Sequence, residues 1–305
     1  MGAGLIASRL GAEGAAHAHD GADHDHPEAS LPIWAVTRHA GRYLALTGDA
    51  EAAQIHELAV GPDHSVSLAN QVSAATPGLT ALALHSTGKR LLVGGAEAYQ
   101  AGEIPSLRPA VYELTEAGER ELALAASVPS AFGVVTALAS IGARGIAALV
   151  EGSDDAEQQY NAVSRVATST DGGQSWRLDT LAVDLGEGHF GHLVASGGGF
   201  AAVTVDGAGA RSGYAGAAAG GWRRAWEQAG SSSVMAVSSP SAGVVELVDR
   251  SATGAAQRHR FERGAWRSAG ANEIGEPVLA VVAVSGSRGE LIAIGESSAR
   301  LLGQV

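Results

Sequence analysis

The stretch Ser169-Thr170-Asp171-Gly172-Gly173-Gln174-Ser175-Trp176 decides how this chain reads. Its spacing suits a tight hairpin turn pinned by its own side chains and closed by an indole. Asp171 is placed to accept hydrogen bonds from the amides of the turn, Gly172 and Gly173 tolerate positive φ, and Trp176 enters the next strand as a buried ring. Working outward, Trp222 and Trp266 follow at intervals of about 45 residues, each just after a glycine-containing turn at Gly221 or Gly264. A period of that length belongs to four-stranded units repeated about an axis.

The rest of the chain keeps this pace. Equivalent hairpin turns fall at Gly61 to Ser65 and at Ala117 to Glu119, with insertions expected at Ala98 to Pro109 and Gly152 to Asn161. Apolar runs sort into six inner strands: Ile33 to Thr37, Leu79 to Leu84, Val134 to Ala139, Phe190 to Ala195, Val234 to Val237 and Val278 to Val284. Each is followed by a second run, at Tyr43 to Thr47, Arg90 to Val93, Gly145 to Val150, Phe200 to Val205, Val244 to Val248 and Leu291 to Ile294. The expected fold is therefore all-β, a six-bladed β-propeller with four-stranded antiparallel blades. The alternatives are a seven-bladed or an incompletely closed ring. The last blade has room for three strands before Val305, so Gly4 to Leu10 is expected to supply its outer strand and close the ring. The division is then residues 1–30, a closing strand and connector, and residues 31–305, a single propeller domain.

The octapeptide matches the pattern S-x-D-x-G-x-x-W, with Ser169, Asp171, Gly173 and Trp176 as its fixed positions. It resembles the Asp-box, or bacterial neuraminidase (BNR) repeat, of the sialidase-like propellers. The copies ending at Trp222 and Trp266 lack the aspartate, since Ser212 to Trp222 is stretched and Phe261 stands at the Asp position. The resemblance implies a rim-located structural turn and an exported, often bacterial and secreted, protein. It would also imply a glycoside hydrolase if an arginine triad, a Tyr/Glu pair and an acidic proton donor were present. They do not assemble: the string nearest to the early arginine motif, Leu107-Arg108-Pro109, falls in an expected insertion. A fold without its site carries no activity. The sequence thus points to a non-enzymatic binding protein, with a sialidase-like hydrolase and a protein-interaction or assembly scaffold as the alternatives.

Composition agrees. In 305 residues there are 42 glycines, only 17% charged residues and no cysteine, which favours many short strands and excludes disulfides and thiolate metal sites. The formal charge of −12 disfavours nucleic acid and anionic membrane surfaces as partners. The longest apolar stretch, Pro277 to Val284, is far short of a membrane span of ~20 residues, so no integral membrane association is expected. Met1 to Leu10 has one arginine and a very short apolar core, and does not read as an intact signal peptide. A monomer is expected.

Three features suggest a ligand. His17, His19, His24 and His26 lie among Asp20, Asp23 and Asp25, a donor set suited to Zn, Ni or Cu(II); the other reading is a solvated linker. His189 and His192 open the fourth inner strand on the face that the tract crosses. An acid stands at or just after the end of every second strand: Asp49, Glu97, Glu151, Asp206, Asp249 and Glu296. Such an array would draw cations to one face, although ordinary turn chemistry accounts for it equally. Asp154, Asp155 and Glu157 add acid to the same rim without a calcium-loop pattern. The expected ligand is a divalent metal ion, a glycan or a protein. No phosphate-binding loop or nucleophile elbow is present in the sequence.

Overall fold

The computed structural model describes residues 33–48, 52–74, 78–101, 104–124, 127–128, 132–153, 162–185, 191–206, 210–228, 234–250, 255–272, 278–287, 289–295 and 297–303. Every element among them longer than a turn is a strand. The chain begins with β1 (Ile33–His39), β2 (Arg42–Thr47), β3 (Gln54–Val60) and β4 (Val66–Ala74). A second group follows: β5 (Leu79–Ser86), β6 (Leu91–Ala101), β7 (Ile104–Thr115) and β8 (Gly118–Leu122). The third is β9 (Phe132–Ile141), β10 (Gly145–Ser153), β11 (Ala162–Ser169) and β12 (Arg177–Leu185). The fourth is β13 (His192–Ser196), β14 (Gly199–Val205), β15 (Arg211–Ala217) and β16 (Gly220–Gln228). The fifth is β17 (Val234–Ser238), β18 (Val245–Arg250), β19 (Ala256–Glu262) and β20 (Ala265–Asn272). The chain finishes with β21 (Ala280–Ser285), β22 (Leu291–Ile294) and β23 (Ala299–Leu302).

Each group is an antiparallel meander. Groups two to five are separate four-stranded sheets, while β1 to β4 and β21 to β23 merge into one seven-stranded sheet. The merger is narrow: β1 and β21 pair in parallel only at Val36↔Val284 and Thr37↔Ser285, where the Thr37 hydroxyl also donates to the Ser285 carbonyl at 3.0 Å. The first strands of successive groups lie side by side about a central channel, the arrangement of a β-propeller. At the rim, the turn between β3 and β4 reaches the outer edge of β23, with Ser65 bridging Arg300 and the Leu301 amide donating to the His64 carbonyl at 2.9 Å. The expected closing strand, Gly4 to Leu10, lies outside the described residues, as does the whole of 1–30.

Burial explains why the inner strands read as unbroken apolar runs. A sheet between two neighbours is covered on both faces near the axis, so all nine residues of β10 are buried. Outer strands splay toward solvent and four of the five residues of β8 are exposed. The core is accordingly a series of inter-sheet layers, such as Leu92, Val111, Val135, Leu138 and Ile146 between the second and third groups. Trp176 packs on that layer, Trp222 on the next and Trp266 on the one after. Trp222 stacks over Phe200 at a centroid distance of 6.4 Å.

The insertion expected at Ala98 to Pro109 falls in the long β6–β7 hairpin, whose strands pair in continuous register from Leu91↔Leu114 to Ala101↔Ile104.

Candidate ligand-binding site

The octapeptide forms the turn its spacing calls for. Asp171 Oδ1 accepts the amides of Gln174 and Ser175, each at 3.0 Å, and the Ser169 hydroxyl at 2.8 Å, while the Ser175 hydroxyl donates to Oδ2 at 2.5 Å. These donors hold the Asp171 carboxyl well below the usual carboxylate range. The Gly173 amide donates to Ser169 Oγ at 2.8 Å, and both turn glycines have positive φ, 81° and 91°. The turn is also a clamp between sheets. Arg90 Nη1 donates to the Gly172 carbonyl at 3.1 Å while its other nitrogens grip Glu113, and the Ala123 amide donates to the Gly173 carbonyl at 3.2 Å. Asp171→Ala is expected to give several-fold faster amide exchange at Gln174 and Ser175, with Asp171→Asn intermediate. Unchanged exchange would show that the carboxylate does not pin the turn.

Strand direction puts this turn at the opposite end of the sheets from the links between groups. At the end where those links lie, the described acids are engaged. Glu97 sits within β6, not at a strand end, and accepts Arg108 Nε at 2.6 Å together with the Tyr112 hydroxyl. Glu151 is buried within β10, and its Oε1 accepts the Gly191 amide at 2.5 Å. Asp249 is buried within β18, held by Arg211 from the neighbouring sheet at 2.8 Å and approached by His259 Nε2 at 3.3 Å. Asp206 is exposed just after β14 and accepts the Ala210 amide at 2.8 Å. Asp49, Glu296 and the 154–157 acids lie outside the described residues.

Of the six candidate metal ligands, His192 alone is described. His17, His19, His24, His26 and His189 fall outside. His192 opens β13, and its Nε2 lies 3.2 Å from the Val234 carbonyl of the next sheet. A carbonyl only accepts, so Nε2 carries the proton and Nδ1 is left with its lone pair. Burial pushes the ring's pKa down to about 4, which keeps it in the neutral form a metal requires. The preceding Gly191 is needed for close approach, because a Cβ there would stand 2.7 Å from Leu149 Cδ2. Among the described residues no three His, Asp or Glu side chains gather in a metal-binding group.

His192 stands on the wall of the central channel, a cavity of about 660 Å³ bounded by β1, β5, β9, β13, β17 and β21. Sequence reasoning passed over three polar residues of that wall: Trp34, His85 and Thr136. The signal was present in Leu82-Ala83-Leu84-His85, a histidine closing an apolar run. No described helix is long and apolar enough to cross a membrane.

The sequence matches no protein-family model and no curated protein. Solved structures share the fold. A variant of the Aleuria aurantia lectin in complex with Fucα1-6GlcNAc superposes with a TM-score of 0.57 at 12% identity, over 90% of this chain and 96% of the lectin. AofleA from Arthrobotrys oligospora superposes with a TM-score of 0.53 at 14% identity, over 90% of this chain and 84% of that one. The chain is thus a β-propeller, similar in architecture to lectins whose own ligands include fucosides.

Proposed function

We propose that this chain is a non-enzymatic binding protein, a six-bladed propeller of the Asp-box type that works outside the cytoplasm. The observation that carries this reading is the state of the acids at the link-bearing end. Glu97, Glu151 and Asp249 are each tied to a neighbour's cation or amide, which suits them to hold a surface in shape. A hydrolase would require two of them facing one cleft about 5 to 9 Å apart. The bound species is a divalent transition metal, Zn, Cu or Ni, held by some of His17, His19, His24, His26, His189 and His192, the last through Nδ1. The neutral, tautomer-fixed ring of His192 is the feature of the fold that favours this assignment.

Calorimetry with Zn²⁺, Cu²⁺ and Ni²⁺ on the full chain, against a chain lacking residues 11–29, tests it. Saturable heat with at least one ion, reduced tenfold or more in affinity by the deletion, is expected. Equal or negligible heats in both chains would remove the metal assignment. Heat with α-methyl fucoside in that case would move the reading to a glycan.

A further inference from the structure

The channel carries a second inference, drawn from its volume and lining. Its volume of about 660 Å³ falls within the range of small-molecule sites, roughly 300–1,000 Å³. Among the described residues that line it there is no Asp, Glu, Lys or Arg, although the sequence holds 52 of them in all, 20 basic and 32 acidic. The wall is built from Trp34, Leu82, Val194, Met235 and Val282 and their small neighbours. Inner strands are apolar because their faces bury against adjacent sheets, but that does not oblige the lumen to be free of charge. Strand ends and turns at either mouth are where charge would enter, and the described ends contribute serine instead: Ser140, Ser238 and Ser285.

Three residues of the wall have polar side-chain atoms that are not accessible from the lumen. Trp34 Nε1, His85 Nδ1 and Thr136 Oγ1, from three consecutive first strands, are buried without a partner. His85 is 3% exposed, its Nε2 is 2.7 Å from Ser140 Oγ, and burial keeps the ring neutral. With those atoms covered, what the described lining offers a guest is chiefly aliphatic side chain.

We infer that the central channel binds an uncharged, largely apolar small molecule. A charged guest would lose its hydration without finding a counter-charge among the described residues of this wall, whereas an apolar one exchanges water for contact.

N-phenyl-1-naphthylamine and its sulfonated analogue, anilinonaphthalene sulfonate, share an aromatic body and differ by one charge. Fluorescence titration of the full chain is expected to show saturable one-to-one binding of the neutral probe, and at least tenfold weaker binding of the sulfonate. Ala195 lines the channel and is exposed there, so Ala195→Glu is expected to weaken the neutral probe tenfold or more. Should that variant not fold, Ala195→Trp, which fills the lumen without charging it, serves in its place with the same expectation. Equal affinity for the two probes, no binding of either, or a folded Ala195 variant that binds the neutral probe as the parent does would each overturn the inference.

Discussion

Arg258→Ala is expected to cost about 3–5 kcal/mol of stability, as the removal of one partner from a buried ion pair does. Arg258 and Glu246 are 1% and 2% exposed, and Arg258 Nη1 meets Glu246 Oε1 at 3.1 Å. Arg260, two residues along β19 and so on the same face, reaches Glu246 Oε2 at 3.0 Å. Truncating Arg258 leaves Glu246 buried at 2% exposure, with Arg260, 30% exposed, as its one cationic partner among the described residues. The double variant Arg258→Leu with Glu246→Leu is expected to recover most of the loss, because the desolvation of both charges is then no longer imposed. Chemical denaturation of the two variants and the parent measures this. A cost below 1 kcal/mol for Arg258→Ala would mean that the pair is not buried as described.

Acid is expected to weaken the fold through His85. In the unfolded chain this ring takes up a proton near pH 6.5, but in the folded channel wall burial lowers its pKa to about 4. Between those values unfolding binds a proton, so stability falls as pH falls through that window, and nothing is lost from this source above it. The full effect approaches about 3 kcal/mol by pH 4. His85→Leu removes the titration, so the difference in stability between parent and variant is expected to shrink by that amount from pH 7 to pH 4. Other titrating groups are common to both proteins and cancel in the comparison. Parallel stability curves for the two would show that His85 is not held neutral by the fold.

His85 also shows where sequence reading reached its limit. The strand that carries it was legible, as were the other five channel strands, because apolar runs at an even pace are a local property of the chain. The acceptance of the turn's own amides by Asp171 was legible, since those donors lie within four residues of it, whereas the bonds from Arg90 and Ala123 to the turn carbonyls were not. Trp176, Trp222 and Trp266 were correctly placed at the outer strands for the same reason. The insertion at Ala98 to Pro109 was legible as extra length, but its pairing as a continuation of β6 and β7 was not, because the partners are set by the hairpin as a whole. The fates of Glu97, Glu151 and Asp249 were not legible: read as strand ends exposed to a ligand, they prove to be internal strand positions whose side chains meet partners 11 to 40 residues away.

What this sequence determines by itself is thus the repeating strand pattern and the one side-chain-pinned turn, both set by interactions between near neighbours. Only the tertiary structure decides which polar residues are spent inside the protein and which face a guest. That Arg258 and Glu246 are buried together, that Arg211 meets Asp249 from the neighbouring sheet, and that the described channel lining holds no charged side chain all depend on how strands and sheets come together. Burial and pairing are properties of surfaces brought together from distant parts of the chain, and no window of sequence contains both sides of such a contact.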